Sequence, residues 1–252
     1  MILTLHGTGA GAPNGDRMAS ALSATFNDGS VTLFDCGEAA ARTMLRDGVD
    51  PTRVAAVLIS HFHPDHWTGL PQLVIALEIA KRTAPLFIHH PPGSEPFLRS
   101  VILHSYGFLE ELPFAVNFRA VASGSLSTVT LADGWNAEFF PTTHLAGSVA
   151  RSRRHGLPDT AYGYILRRGD RRIVLSQDIG SENDLVEVME GAELLVCESA
   201  HIDAENLLTL ARDRGVGRVL FTHVPPEGAS FPERFEGIAW SVARDGERVA
   251  ID

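Results

Sequence analysis

The sequence has few of the features that mark a secreted or membrane-bound protein. Only two of its 252 residues are cysteine, which argues against the disulfide framework of a small secreted domain. Apolar stretches such as residues 73–77 are far too short to cross a membrane. The first residues have neither a basic segment nor a long apolar core, so we expect no signal peptide. A cytoplasmic location without a membrane partner is the resulting prediction.

Basic residues are also scarce. The chain has 21 Lys and Arg against 31 Asp and Glu, which gives a formal net charge of -10. A protein of this charge repels a phosphate backbone on average. We therefore expect a small-molecule substrate, possibly phosphate-containing, and no stable nucleic-acid partner. The basic cluster Arg151, Arg153 and Arg154 is the exception, and it could bind a phosphate group of that substrate.

Apolar runs and turn residues predict an α/β protein of a single domain, residues 1–252. Hydrophobic residues make up 44% of the chain, and no Pro/Gly/Ser-rich linker divides it. Strand-like runs alternate with helical ones, which suggests two sheets with helices outside them. The runs that matter below are a strand at 54–59, helices at 70–82 and 181–190, a hairpin at 162–176 and a final hairpin around 245–246.

A cluster of metal-ligand residues follows the predicted strand at 54–59. It comprises His61, His63, Asp65 and His66. Side chains two apart in a strand point the same way, so His61 and His63 are expected to hold one ion together. Asp65 and His66 lie just beyond, where the chain must turn, and are expected to reach a second ion. Imidazole and carboxylate ligands suit zinc best, with manganese or iron as alternatives.

Three further ligand types stand at the ends of strand-like runs, namely His144, Asp178 and His223. Each has an ordinary explanation when taken alone. His144 could be a strand-end histidine, Asp178 could cap the helix predicted after it, and His223 could be a buried histidine with satisfied hydrogen bonds. Taken together and in this order, they favour a metal site.

The pattern His-x-His-x-Asp-His, followed by His, Asp and His at strand ends, resembles the metallo-β-lactamase superfamily. The resemblance implies an αββα four-layer sandwich that binds two divalent ions. It assigns His61, His63 and His144 to one ion, Asp65, His66 and His223 to the other, and Asp178 to both. Residues 3–9 and 34–38 also resemble the ribonuclease Z branch, which holds tRNA 3′-processing endonucleases and smaller phosphodiesterases.

Two adjacent ions would lower the pKa of a shared water, so that a bridging hydroxide exists near neutral pH. Asp65 is the expected base or orienting group for that hydroxide. In the family, a histidine that helps the leaving group stands where this chain has Cys197, and His201 is the candidate substitute. Glu198 is expected to orient a ligand histidine.

The segment from Tyr164 to Asp178 is spanned by one predicted hairpin, too short for the tRNA-gripping arm of ribonuclease Z. The sequence therefore predicts a phosphodiesterase acting on small or nucleotide-like substrates. A lactonase or thioesterase of the same superfamily, a tRNA 3′-processing endonuclease and a noncatalytic scaffold are the alternatives.

The predicted helix at 70–82 is apolar nearly all round. Such a helix is either buried on every side or covered by a partner. One hypothesis is a homodimer with this helix at a symmetric interface. The other is burial under the chain's own residues 91–114.

Overall fold

The computed structural model describes residues 1–121 and 127–251. The chain divides into two compact units, which are Met1–Ser123 with Arg244–Asp252 (unit 1) and Gly124–Ala243 (unit 2). The sequence analysis predicted a single domain, and that stays a prediction. The strands are β1 (Ile2–Gly7), β2 (Ala21–Thr25), β3 (Val31–Phe34), β4 (Val54–Leu58), β5 (Leu86–His90), β6 (Val116–Ala120), β7 (Ser127–Thr130), β8 (Asn136–Thr142), β9 (Ala161–Arg168), β10 (Arg171–Leu175), β11 (Leu194–Glu198), β12 (Arg218–Thr222), β13 (Ala239–Val242) and β14 (Glu247–Ala250). The α-helices are α1 (Ala40–Arg46), α2 (Leu70–Ile79), α3 (Glu95–His104), α4 (Val149–Arg154) and α5 (Ala204–Asp213).

Unit 1 contains a seven-stranded sheet in the order β14-β1-β2-β3-β4-β5-β6. Strands β14 to β3 pair antiparallel, and β3 to β6 pair parallel. Parallel neighbours need crossover connections, and the segments that contain α1, α2 and α3 supply them. The carboxyl ends of β3 and β4 therefore open at the same edge of the sheet, where Asp35 and the His61–His66 loop follow them.

Helix α2 begins at Leu70 as predicted and ends at Ile79, three residues before the predicted end. Its apolar side chains Leu70, Leu73, Val74 and Leu77 are fully buried in the core of unit 1. Leu98 and Ile102 of α3 belong to the same core. Most of the apolar surface of α2 is therefore covered within unit 1, partly by the segment 91–114, while Ile79 is exposed.

Unit 2 contains a second seven-stranded sheet, in the order β13-β12-β11-β10-β9-β8-β7. Strands β7 to β10 pair antiparallel and β10 to β13 pair parallel. The hairpin predicted at 162–176 is present as β9 and β10, and Gly169 takes the positive φ of 59° that the tight turn requires. The buried core of unit 2 includes Val174, Leu195, Val219 and Phe221.

Two predicted elements are wrong. The helix at 181–190 is only a 3-10 turn, Glu182–Leu185. The carboxylate of Asp184 accepts hydrogen bonds from the backbone N–H groups of Thr143 and Gly180 at 2.8 and 2.9 Å, so side-chain bonding to neighbouring and distant backbone competes with the helix.

The final hairpin around 245–246 is also absent, because β13 pairs with β12 and β14 pairs with β1. Gly246 donates to the carbonyl of Leu5 at 2.7 Å, and this bond directs the chain into the sheet of unit 1. Within residues 1–121 and 127–251, no helix has the length and apolar character needed to cross a membrane.

Candidate metal centre

The first group of predicted ligands follows β4 in unit 1. The Ile59 amide donates to the carbonyl of His89 at 2.9 Å, which continues the sheet contact one residue past β4. Beyond it, His61 is buried and His63 is exposed. His61 Nε2 lies 3.0 Å from His63 Nδ1, so the two rings are adjacent, although both residues stand beyond the end of β4 at Leu58.

Asp65 and His66 stand in a 3-10 turn, Pro64–His66, and both are buried. His66 Nε2 lies 3.1 Å from Asp65 Oδ2. The turn is fixed to the end of β3, because the Cys36 amide donates to the carbonyl of His66 at 2.7 Å and the Gly69 amide donates to that of Cys36 at 2.9 Å. Unit 1 thus presents four predicted ligand side chains on one short loop.

The sequence analysis missed a further residue beside this loop, Asp35, which directly follows β3. Its carboxylate is fully buried, and Oδ2 lies 2.6 Å from His66 Nδ1. Ser60 donates to it twice, from the backbone N–H at 2.7 Å and from the hydroxyl at 2.8 Å. Burial raises the pKa of the Asp35 carboxyl, and the neighbouring His66 opposes this rise. A carboxylate held in this way fixes the orientation and tautomer of a ligand histidine. The available signal was an aspartate directly after strand β3.

The second group of predicted ligands stands at strand ends in unit 2. His144, Asp178 and His223 follow β8, β10 and β12, respectively. The Nε2 atoms of His144 and His223 lie 3.5 and 3.3 Å from Asp178 Oδ2. One carboxylate oxygen is therefore shared by two histidines, which is the position expected of a bridging ligand.

Glu198 and His201 lie beside this second group. Glu198 is buried at the end of β11, and its Oε2 accepts from the backbone N–H groups of Ala200 and His201 at 2.7 and 2.9 Å. Its other oxygen lies 2.9 Å from His201 Nδ1. The histidine that Glu198 contacts is thus His201, which is not one of the predicted ligands. The His201 ring centroid is 4.9 Å from that of His144, and the side chain is partly exposed.

Cys197 and the arginine cluster are placed differently from the ligands. Cys197 lies in the core of unit 2, where burial raises the pKa of its thiol well above its usual value. The raised pKa favours the protonated thiol. Arg151, Arg153 and Arg154 are half of the short surface helix α4, and Arg153 pairs with Asp159 at 2.6 Å.

All seven predicted ligands belong to groups whose donor atoms could hold a metal ion. Unit 1 supplies His61, His63, Asp65 and His66, and unit 2 supplies His144, Asp178 and His223. Imidazole nitrogens and carboxylate oxygens are the donors that zinc and its first-row neighbours accept. The residues present therefore fit a divalent transition metal.

Solved structures of other proteins share this fold. The crystal structure of human tRNase Z, short form, matches with a TM-score of 0.74 and 21% identity over 100% of both chains. The predicted α/β fold of the metallo-β-lactamase type is confirmed. The fold, together with the curated ribonuclease Z relatives described below, identifies a metal-dependent hydrolase of the ribonuclease Z-like branch.

Residues 1–213 match the family described as Anti-Pycsar protein Apyc1, and the chain belongs to this family. Among curated relatives, the ribonuclease Z of Methanothermobacter thermautotrophicus is 27% identical, and the alignment covers 89% of this chain and 86% of the relative. The ribonuclease Z of Haloferax volcanii is 29% identical, with 100% and 95% covered.

These relatives overturn one expectation. We expected a small-molecule substrate and no nucleic-acid partner, whereas the curated relatives are ribonucleases. The expectation rested on net charge and on the short hairpin between Tyr164 and Asp178, and the argument from net charge is the weaker of the two. The sum of charges over a chain does not describe the local field where a substrate binds.

Proposed function

We propose that this chain hydrolyses phosphodiester bonds in RNA, using two divalent transition-metal ions, of which zinc is the first candidate. In this proposal one ion is held by His61, His63 and His144, the other by Asp65, His66 and His223, and Asp178 binds both. The ions would supply Lewis acidity toward the phosphate and lower the pKa of a bound water. The observation that carries the proposal is the complete ligand set in a chain whose near-full-length relatives are ribonucleases Z.

The side chains around the ligands suggest separate roles. Asp65 is the proposed group that orients or deprotonates the attacking water, because its carboxylate lies next to His66 on the ligand loop. His201 is the proposed proton donor to the leaving oxygen. Glu198 supports that role by holding Nδ1 of its ring, which fixes the orientation of the imidazole.

The hairpin of β9 and β10 bears on how RNA would be held. It takes up the residues from Tyr164 to Leu175, and Asp178 follows three residues later. A long RNA-gripping arm therefore has no room in this segment. The proposed substrate is recognised near its scissile bond, so the body of a folded tRNA should add little to affinity.

The test is a cleavage assay of metal-loaded protein on a matched set of substrates. The set comprises a precursor tRNA, a short single-stranded RNA with the same 3′ end, the corresponding DNA, an aryl phosphodiester, a lactone and a thioester. We expect cleavage of both RNAs with KM values within about tenfold of each other, because no arm contacts the tRNA body.

Two variants serve as controls for this assay. Asp178→Ala should abolish cleavage, whereas Asp213→Ala should retain it, because Asp213 is exposed and pairs only on the surface with Arg212. Cleavage of the lactone, the thioester or the aryl diester without cleavage of either RNA would overturn the proposed function.

A further inference from the structure

Unit 2 contains a long excursion of the chain between two paired strands, residues 143–160, to which the proposed function assigns no role beyond the ligand His144. Strand β8 ends at Thr142 and β9 begins at Ala161, and these two residues are partners in the sheet. Two adjacent antiparallel strands need only about two residues to join them. The 143–160 excursion is therefore an addition to the sheet, and it starts beside a predicted metal ligand.

The base of this excursion is tied to the segment that follows Asp178. The backbone N–H of Thr143 donates to Asp184 Oδ2 at 2.8 Å, and the Thr143 hydroxyl donates to the same carboxylate at 3.0 Å. The Gly180 amide also donates to that carboxylate, at 2.9 Å. Because Thr143 precedes His144 and Gly180 closely follows Asp178, the base of the excursion is fixed next to two predicted ligands.

The outer part of the excursion is basic. Helix α4 carries Arg151, Arg153 and Arg154, all of them exposed, whereas Asp159 is the one acidic residue in the sequence of the excursion. Arg153 donates to Asp159 at 2.6 Å through Nε. The side chains of Arg151 and Arg154 make no hydrogen bond or ion pair with any residue that the structure describes. Two guanidinium groups are thus open to a ligand, in a chain whose formal net charge is -10.

The spacing of these two arginines suits a phosphate backbone. Arg151 and Arg154 are three positions apart in a helix, so their side chains lie on the same face of α4. The planar guanidinium binds phosphate oxygens through two parallel hydrogen bonds. Interaction with the helix dipole also favours basic residues in a last turn, but that effect alone predicts no change in RNA affinity when they are replaced.

We propose that the 143–160 excursion binds the phosphate backbone of the RNA strand outside the scissile bond, with Arg151 and Arg154 on two of its phosphates. Thr143 and Asp184 hold the base of the excursion in place. This inference rests on the proposed function, and it assigns to α4 the grip on the strand for which the hairpin of β9 and β10 has no room.

The test uses the double variant Arg151→Gln with Arg154→Gln, which removes two positive charges and keeps side chains that favour a helix. The matched control is Arg42→Gln with Arg248→Gln. Arg42 on α1 and Arg248 on β14 are exposed, and their side chains make no hydrogen bond or ion pair within the described part of the chain. Both double variants have the same net charge, so a difference between them reports a local contact and not the overall field.

Cleavage of a single-stranded dodecaribonucleotide and of an aryl phosphodiester is measured for each protein. For the α4 double variant we expect KM for the RNA to rise about tenfold with kcat within about twofold, because contacts away from the scissile bond hold substrate and transition state alike. The slope of log KM against log salt should fall by about 1.4, which is about 0.7 for each of two phosphate contacts on a single strand. KM for the aryl diester, which has no neighbouring phosphate, should change by less than about twofold. The control variant should stay close to the wild type on both substrates.

An unchanged KM for the RNA, an unchanged salt slope, or the same loss in the control variant would overturn the inference and leave the proposed function standing. If the wild type cleaves no RNA, the proposed function fails, and fluorescence anisotropy with the labelled dodecanucleotide decides the inference. Binding that is about tenfold weaker in the α4 variant than in the wild type and the control supports the contact. Equal binding in all three proteins, or none in the wild type, refutes it.

Discussion

Replacing Asp35 by asparagine removes the negative charge that supports His66 and changes the shape of the side chain very little. In the wild type, Oδ2 faces both His66 Nδ1 and the Ser60 hydroxyl, and Oδ1 accepts from the Ser60 amide. An asparagine can present its oxygen to only one of these sides. On the other side, its NH₂ group then faces at least one buried donor, which loses its acceptor.

The magnitude follows from these contacts. A buried donor that loses its acceptor costs about 1–3 kcal/mol, so we expect Asp35→Asn to lower the free energy of unfolding by about 2–3 kcal/mol. Loss of the carboxylate behind a ligand histidine also weakens metal affinity by about 10–100-fold. The lower stability and the weaker metal affinity should appear together, because both result from the loss of the Asp35 carboxylate.

The assays are urea unfolding of the metal-free protein and competition for zinc against a chelator of known affinity. Asp28→Asn is the matched control, since Asp28 Oδ1 also accepts from the amide and the hydroxyl of one serine, Ser30, but in an exposed turn. We expect the control to change stability by less than about 0.5 kcal/mol. An Asp35→Asn protein with wild-type zinc affinity would refute the role given to this carboxylate.

Three other predictions concern the second ligand group, acid stability and packing. Asp178→Ala should lose most of both ions by elemental analysis, because one carboxylate oxygen faces two ligand histidines; full metal content would show that Asp178 is not a bridge. Burial, assisted by Arg119 and His90, lowers the pKa of His89 from 6.5 to about 4, so neutral His89 stabilises the fold above pH 6.5, and this contribution is lost as pH falls from 6.5 toward 4. Between pH 6.5 and 4, the free energy of unfolding in urea should fall more steeply with falling pH for the wild type than for His89→Gln. Equal slopes of unfolding free energy against pH would contradict this. Gly163→Ala should cost about 2–3 kcal/mol, because a Cβ there would lie 2.3 Å from Phe140 Cζ and 2.6 Å from the Ser176 carbonyl oxygen; Gly147→Ala, which meets nothing within 4 Å, should cost far less, and similar unfolding midpoints for the two variants would refute the packing argument.

Local periodicity was enough to predict the parts of the site that lie at strand ends. The His61–His66 loop follows a buried strand, and His61 and His63 lie side by side as expected, although both stand beyond the end of that strand. The hairpin of β9 and β10 was predicted for the same reason, since strand propensity and a turn with Gly169 are both local signals.

The features that the sequence analysis missed depend on contacts between residues distant in the chain. Asp35 supports His66 across 31 positions, and Asp245 fastens a loop more than 220 positions away. Asp245 and Gly246 read locally as a hairpin turn, but their bonds to Thr8 and Leu5 direct β14 to β1. Pairwise contacts of this kind leave no periodic signal in one sequence.

Metal dependence of RNA cleavage tests the central claim most directly. Metal-free protein is titrated with zinc, and the initial rate of cleavage of a short single-stranded RNA is followed at each addition. The account predicts that the rate rises with zinc and levels off at about two ions per chain. Cleavage that persists without metal, or that saturates at one ion per chain, would contradict it.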